Sequence, residues 1–308
     1  MENTSKKNII SNNITSQENT QNIQTSANKK KILVISGGGI KGLAGLGAVA
    51  CLIDNNIIDK PEIYAGSSVG AMLCFALNIG YNPTDIFNIL ELIDFAQLVK
   101  YVEPEDLLME PCFGLSSPEP ILQSLYSFMK KKNIAPNITF SELYAQTNSK
   151  LIITGTCIND TSIRYFSVDT YPNMPILKAI RITISIPFIF RPYLFENKLW
   201  VDGGCMNNFP IELFDPDRLS DVIGIYLDDH YETLEQIDEV QDYFYRIFKC
   251  IFRGLNISKI QIYKKYIIDI ITKGSNGTNW NITPQEKKEM YIDGYEHANE
   301  YIKNNLSN

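Results

Sequence analysis

A G-S-S-V-G pentapeptide at residues 66–70 places Ser68 between Gly66 and Gly70 in the pattern G-x-S-x-G. An apolar run precedes the pentapeptide and a second apolar run with helical character follows it. A strand, a sharp turn and a helix in this order lift a serine hydroxyl above a sheet, and the turn needs glycine on both sides. Because a hydroxyl is a weak nucleophile at neutral pH, we expect a base near Ser68.

The sequence offers an acid and two histidines as candidates for this base. Asp202 ends a short apolar segment and enters the turn Asp202-Gly203-Gly204, and a carboxylate can accept a serine proton if burial raises its pKa. His230 follows a strand-like run, which suits a Ser-Asp-His triad. We interpret His297 as an ordinary residue of a C-terminal helix. The residue types alone leave Asp202 and His230 open.

A glycine-rich loop, S-G-G-G-I-K-G at residues 36–42, follows a strand-like run and opens a helix. One use of such a loop is a dinucleotide site, with pyrophosphate at the helix N-terminus and Asp54 or Asp59 as the acid for the ribose. We prefer the other use, an oxyanion hole, because an enzyme that transfers hydride with a bound dinucleotide does not need the serine turn that follows.

In the oxyanion interpretation, backbone N–H groups of Gly38 and Gly39 point at a developing negative oxygen. Lys41 adds positive charge beside them, and Gly42 starts the helix.

Composition excludes several classes of protein. The 308 residues are 44% hydrophobic, enough for one large core, and the net charge of −7 argues against nucleic acid as a partner. Six cysteines without a C-x-x-C pair indicate buried, reduced thiols and an intracellular protein, and no cluster of metal ligands is present. No run reaches the ~18 apolar residues of a membrane span. Residues 1–29 lack the apolar core of a signal peptide, and we interpret them as a disordered polar tail.

Strand-like and helix-like segments alternate along the chain, which predicts an α/β fold with a mostly parallel central sheet. We expect strands at 31–35, 61–65, 151–156, 164–168 and 221–227, and helices at 43–54, from Ser68 to about 80, from an Asn82 cap, and at 121–131.

Two further segments have proposed roles at a membrane. Residues 104–120, rich in proline, are expected to form a loop, which could be an apolar flap that meets lipid or an ordinary loop packed on the core. Residues 241–273 carry apolar and basic residues at helical spacing. Such a helix can lie on an anionic membrane surface or pack on the core with a solvated outer face.

The loop at 36–42, the serine turn at 66–70, and a D-G-G-x-x-x-N-x-P stretch starting at Asp202 together resemble the patatin-like phospholipase family. The segment 179–190, with Ser185 and Pro187, resembles the family's stretch before the Asp-Gly turn. The resemblance covers roughly residues 32–212.

The resemblance implies a three-layer α/β/α patatin-like fold in a single catalytic domain at 30–305, with the motifs in a core at 32–212 and a C-terminal helical part at 235–305. It implies a lipid acyl hydrolase, phospholipase A in type, with Ser68 as nucleophile and Asp202 as base. The oxyanion hole would comprise Gly37, Gly38 and Gly39, supported by the motif residues Lys41, Gly42, Gly66, Gly70, Gly203 and Gly204.

The family acts on acyl lipids without a metal, so we expect no cofactor. We also expect transient, peripheral contact with a lipid surface. A triad esterase using His230 and a catalytically silent lipid-binding or regulatory protein remain as alternatives.

Overall fold

The computed structural model describes residues 29–98, 114–228, 237, 240–272 and 280–306. Its strands are β1 (Ile32–Ile35), β2 (Ile63–Gly66), β3 (Gly114–Ser116), β4 (Lys150–Cys157), β5 (Ser162–Phe166), β6 (Phe188–Phe190), β7 (Tyr193–Phe195), β8 (Lys198–Asp202), β9 (Val222–Asp228) and β10 (Ile267–Ile271). Its α-helices are α1 (Gly42–Asp54), α2 (Val69–Asn78), α3 (Pro83–Glu91), α4 (Glu119–Lys131), α5 (Phe140–Thr147), α6 (Ile176–Thr183), α7 (Gly204–Asn207), α8 (Val240–Tyr263) and α9 (Pro284–Asn305). The predicted strands and helices of the first 230 residues are present within a few residues of their expected bounds.

The central sheet has the strand order β10-β9-β1-β2-β4-β8-β7, with β5 also paired to β4. Pairing is parallel from β10 through β4 and antiparallel among β4, β5, β7 and β8. The mostly parallel sheet predicted from the sequence is therefore confirmed. Strands β1 and β2 are neighbours in register, so the glycine-rich loop and the serine turn leave the same edge of the sheet side by side.

Alternate residues of β1 enter two different cores, as the two-residue period of a strand requires. Leu33 and Ile35 join a large core with α1, α2, α3, α4 and α9, whereas Ile32 and Val34 join a smaller core with Phe209 and Tyr226. Ile260 and Tyr263 of α8 pack against the smaller core. Helices thus cover both faces of the sheet, which gives the expected three-layer α/β/α fold.

The C-terminal part at 235–305 is not purely helical, and this prediction is corrected. The basic amphipathic helix predicted at 241–273 ends at Tyr263, and the run Ile267–Ile271 forms β10, parallel to β9. The pattern I-I-D-I-I is rich in β-branched residues, which suits a strand better than a helix. The loop predicted at 104–120 is also too long, because Gly114–Ser116 pairs with β6 and α4 begins at Glu119.

The C-terminal helix α9 packs against α1 through two glycines. A methyl group at Gly47 of α1 would lie 1.8 Å from the carbonyl oxygen of Tyr291, and one at Gly294 of α9 would lie 1.8 Å from that of Ala44. The two helix backbones therefore approach each other without intervening side chains. As a result, α9 covers the helix that begins at the glycine-rich loop.

Several predictions fall outside the described residues. These are residues 1–28 of the polar tail, His230, and the flap residues 104–113, which include Cys112. Among the described cysteines, Cys51, Cys74 and Cys157 are buried as predicted, whereas Cys250 is exposed. In the part of the chain that the structure describes, no helix combines the length and apolar character required to cross a bilayer.

Candidate active site

Ser68 lies at the turn between β2 and α2 in a backbone conformation that a residue with a side chain seldom adopts. Its φ is 52° and its ψ is −127°, and it occupies the position just before the first residue of α2. Positive φ at a residue other than glycine is a source of strain that often marks a functional site. Ser67 is fully buried, whereas Ser68 is 7% exposed and lines a cavity. Of the two serines, Ser68 is the one placed to meet a ligand.

Asp202 ends β8 and is only 2% exposed. The N–H of Gly204 donates a hydrogen bond of 2.7 Å to its Oδ1 atom, and the Ser67 hydroxyl lies 3.5 Å from the same oxygen. The backbone N–H of Asp202 donates to the carbonyl oxygen of Ser185 at 2.9 Å. The carboxylate is therefore fixed by the backbone on both sides.

Burial raises the pKa of the Asp202 carboxyl to about 7. The N–H of Gly204 and the side chains of Ser68 and Ser67 act against this rise in pKa, since they stabilise the charged form. A buried carboxyl group beside a serine, with a pKa near neutrality, can accept a proton at neutral pH. The structure thus brings the two predicted catalytic residues together.

The glycine-rich loop lies directly against the serine turn. A methyl group at Gly37 would lie 3.1 Å from Cβ of Ser68 and 2.3 Å from Oδ1 of Asn208. The N–H of Gly37 donates to the Asn208 carbonyl at 3.1 Å, and the Asn208 amide donates back to the Gly37 carbonyl at 3.1 Å. The expected role of Gly37 is therefore corrected, because its N–H is already committed to Asn208.

Gly38 and Gly39 are half-buried and lead into a 3-10 turn at Gly39–Lys41. The first N–H groups of a helix have no partner within it, so these two amides suit an incoming anion. Gly39 has a φ of 58°, which glycine adopts freely, and it lines the same cavity as Ser68. Lys41, two residues after Gly39, is 1% exposed.

The dinucleotide interpretation does not fit this arrangement. Asp54 is the last residue of the 13-residue helix α1 and accepts a hydrogen bond from Tyr295. At 1.5 Å per residue, the far end of α1 is roughly 20 Å from the glycine-rich loop. Asp59 pairs with Lys29 on the surface. Neither acid is placed to hold a ribose beside this loop.

The motif glycines occur where backbones or buried side chains approach too closely for a methyl group. Gly42 meets Val69, and Gly66 meets the backbone of Gly70 across the serine turn. Gly70 meets the backbone at the end of β1, and Gly203 meets Thr154 beside Asp202. Gly204 supplies the N–H that binds the carboxylate. His297, by contrast, lies on α9, where its Nδ1 contacts the Asp293 carbonyl one turn earlier. The interpretation of His297 as a helix residue is consistent with this contact.

A large apolar cavity opens at Ser68, with an empty volume of about 950 Å³ including its solvent-facing mouth. Ser68 and Ser124 contribute the only hydroxyl side chains among its described lining residues. The others are Gly39, Ile40, Gly42, Leu43, Val69, Met72, Leu73, Ala76, Ile86, Leu90, Ile93, Phe95, Leu98, Ile121, Leu125, Phe128, Ile184, Ile186, Phe190 and Trp280. A cavity of this kind takes an aliphatic group and holds it next to the serine.

Thr183 and Ser185 position the site and were not assigned roles from the sequence. Oγ1 of Thr183 accepts the backbone N–H of Ser68 at 2.9 Å, and the Ser185 carbonyl accepts that of Asp202. Both residues lie in the segment 179–190 that was matched to the family. Asn208, within the D-G-G-x-x-x-N-x-P stretch, was likewise noted without a role. Nothing in the spacing alone distinguishes these three from packing residues.

Comparison with known proteins agrees with this geometry. The family model for patatin-like phospholipase matches residues 33–215, well over half of the chain. The chain belongs to the patatin-like phospholipase family. This patatin-like chain is 33% identical over 298 residues to an uncharacterized protein of Acanthamoeba polyphaga mimivirus, a match that covers 92% of this chain and 98% of that protein. It is 34% identical over 191 residues to the probable lipid hydrolase 463L of Invertebrate iridescent virus 6, covering 59% of this chain and 62% of that protein.

Solved structures share the fold of this patatin-like protein. The crystal structure of VipD from Legionella pneumophila aligns with 91% of this chain and 68% of its own, with a TM-score of 0.61 and 18% identity. At this level of identity the likeness shows the fold alone. Together with the family match, it confirms the patatin-like architecture expected from the four motifs.

Proposed function

We propose that this protein is a lipid acyl hydrolase that cleaves carboxylic ester bonds with Ser68 as nucleophile and Asp202 as base. The observation that carries the proposal is that Ser68 lines an apolar cavity from a strained turn and that its side chain acts on the buried Asp202 carboxyl beside it. The membership of the family and the resemblance to a probable lipid hydrolase support the same conclusion.

The reaction begins when Asp202 accepts the Ser68 proton as the Ser68 oxygen attacks the acyl carbonyl carbon. Gly38 and Gly39 donate their N–H groups to the resulting oxyanion, and the N-terminus of α2 adds a favourable dipole. The tetrahedral intermediate collapses, and Asp202 gives its proton to the departing alcohol. An acyl-enzyme ester on Ser68 remains.

Deacylation reverses these proton movements. Asp202 takes a proton from water as the water oxygen attacks the acyl carbonyl, and the Ser68 oxygen leaves and recovers the proton. The products are a fatty acid and free enzyme. Every proton is carried by groups of this chain, so the proposal assigns no role to a metal or cofactor.

Fatty-acid release from mixed phospholipid vesicles, measured with a chelator present, tests the proposal. We expect Ser68→Ala and Asp202→Asn to abolish release, and His230→Ala to retain it. Loss of release in His230→Ala with retention in Asp202→Asn would assign the enzyme to the triad class instead. A fluorophosphonate probe that failed to label the wild type at Ser68 would favour the catalytically silent alternative.

We propose that α8 makes the peripheral contact with the lipid surface. Lys259 attaches this helix to the core by donating to Glu212 and Asn207, each at 2.7 Å. The helix also exposes large apolar side chains, among them Tyr243, Ile247, Leu255, Ile257 and Ile262. Apolar residues on a helix that also carries arginine and lysine favour an anionic bilayer.

Co-sedimentation with anionic vesicles tests this contact, with Ile262→Glu as the variant because Ile262 is 72% exposed. We expect weaker sedimentation and unchanged hydrolysis of a water-soluble ester. Equal sedimentation of variant and wild type would exclude a contact at Ile262.

The free cysteines of the described residues agree with a reducing, intracellular site of action.

A further inference from the structure

The cavity at Ser68 is lined along most of the length of α2. Ser68 precedes the first residue of this helix, and Met72 and Ala76 line the cavity from the next two turns. Eight residues of α-helix separate Ser68 from Ala76, a rise of about 12 Å at 1.5 Å per residue. The cavity is therefore deep enough for an extended chain of atoms that starts at the serine.

Contacts at the two ends of α4 show which part of this helix lies far from Ser68. Glu119, at the start of α4, lies 3.8 Å from Arg181 in α6, whose last residue, Thr183, contacts Ser68. At the other end, the Phe128 ring packs 5.1 Å from that of Tyr81, just beyond α2, and the Tyr81 hydroxyl donates to the Phe128 carbonyl. Phe128 therefore lies at the end of the cavity remote from the serine.

Helix α3 completes this remote end. It begins at Pro83, shortly after α2 ends, and Ile86 on its first turn lines the cavity. Ala76, Ile86 and Phe128 thus share the end of the cavity opposite Ser68, and we refer to these three residues as the cavity floor. Each is buried, with an exposure of 2% to 6%.

We propose that the cavity floor sets the length of the acyl chain that the enzyme accepts. This inference rests on the proposed acyl hydrolase function and deepens it. A fully extended chain advances about 1.2 Å per bond, so a depth of about 12 Å holds roughly ten carbon atoms. The substrate class is an ester of an unbranched aliphatic acid of about this length, because the lining residues that the structure describes include no charged partner for a polar chain end.

The test compares kcat/KM across p-nitrophenyl esters from acetate to palmitate. Ala76→Leu fills the floor, and we expect the ratio of decanoate to butyrate hydrolysis to fall at least tenfold, since each excluded methylene loses its burial. Phe128→Leu deepens the floor, and we expect the preferred length to move to longer chains. Phe87→Leu is the matched control, because Phe87 is buried against Tyr291 outside the cavity.

Opposite shifts in the two floor variants, with the wild-type profile in Phe87→Leu, would support the proposal. A uniform change at every chain length, or the same profile in all variants, would overturn it. Neither result depends on how stable the variants are, because each profile is a ratio within one protein.

A binding measurement separates this inference from the proposed function. Trp280 lines the cavity, whereas Trp200, the other of the two tryptophans, is buried against Phe166. In a Ser68→Ala, Trp200→Phe background, brominated fatty acids of increasing length should quench Trp280 fluorescence with a length optimum that Ala76→Leu shortens. If this length optimum is found but the wild type hydrolyses no ester, the role of the cavity floor is retained and the proposed hydrolase function is rejected. Quenching that depends neither on chain length nor on the Ala76→Leu substitution would overturn the inference, whether or not the wild type hydrolyses esters.

Discussion

The hydroxyl oxygen of Thr183 accepts a 2.9 Å hydrogen bond from the backbone N–H of Ser68. Two residues further on, the Ser185 carbonyl accepts the backbone N–H of Asp202. One short segment at the end of α6 therefore holds the backbones of both proposed catalytic residues. It is itself fixed by Arg181, which donates to the Ser185 hydroxyl and to the Arg191 carbonyl.

Removing the Thr183 hydroxyl should weaken both catalysis and folding. In Thr183→Val the buried N–H of Ser68 loses its acceptor, at a cost of about 1–3 kcal/mol. A serine displaced by a fraction of an ångström can lose about a hundredfold in rate, so we expect kcat to fall by ~10 to 100-fold. Thr183→Ser keeps the hydroxyl and should retain most of the activity. Equal kcat values in Thr183→Val and the wild type would show that this hydrogen bond does not position the nucleophile.

Ser68 and Asp202 should act as one unit. Each of Ser68→Ala and Asp202→Asn should reduce kcat by about a thousandfold or more, and the double variant should be no slower than the slower single variant. Steady-state kinetics on one ester, at equal protein concentration, measures all three. If the losses multiplied, the two residues would be acting in separate steps. His297→Ala serves as a control and should be fully active.

Activity should depend on pH through the Asp202 carboxyl. Its pKa is raised to about 7, and only the deprotonated form accepts the Ser68 proton, so kcat/KM should rise through about pH 7 and then level off. A pH profile of the free enzyme on a soluble ester measures this. A profile that was already flat from about pH 5 upwards would contradict the assigned base.

Stability should change with pH in the opposite direction. Between the ordinary pKa of 3.8 and the folded value of about 7, the unfolded chain has released this proton while the folded protein still holds it. Stability therefore falls as pH rises across that window, by at most about 4 kcal/mol at 1.36 kcal/mol per unit. Urea unfolding of Asp202→Asn beside the wild type isolates this contribution, and the variant should gain relative stability towards pH 8. A difference in unfolding free energy between variant and wild type that stays constant with pH would exclude a contribution of the Asp202 proton to stability.

The serine turn should not tolerate a methyl group at Gly70. A Cβ atom there would lie 2.3 Å from the carbonyl oxygen of Ile35 and 2.5 Å from that of Ser36. We expect Gly70→Ala to destabilise the fold by about 3 kcal/mol or more, as overpacking against backbone does. Gly254→Ala in α8 is the matched control, because no atom lies within 4 Å of its added methyl. It should gain roughly 0.5–1 kcal/mol, and thermal melting compares the two.

The sequence predicted the parts of the fold that local patterns specify. The β-branched run of β1, the Asn82 cap of α3 and the strand ending at Asp202 each follow from short-range chemistry, and each is present. Strand β10 was missed because its five residues directly follow a long amphipathic pattern that continues the helical spacing. Its assignment depends on pairing with β9, a contact that no local pattern contains.

In the candidate site, too, local motifs could be identified from the sequence, whereas contacts between distant segments could not. Ser68 and Asp202 belong to motifs that can be identified in the sequence, and the Ser68 side chain acts on the pKa of the Asp202 carboxyl. Their joint role in catalysis stays a prediction. The commitment of the Gly37 N–H to Asn208 joins residues 171 positions apart and could not be predicted from either segment. The cavity is likewise a property of packing, since its lining comes from several helices and from the residue Trp280 near the C-terminus.

The close packing of α1 against α9 at Gly47 and Gly294 has a consequence for how this protein can be divided. The family match ends at residue 215, yet α1, which begins at the glycine-rich loop, is covered by a helix that ends at Asn305. We therefore expect that a fragment of residues 33–215 would expose a glycine-lined groove of bare backbone along α1. The unit that folds would then be longer than the unit that family comparison recognises, and the last helix would have to coevolve with the first.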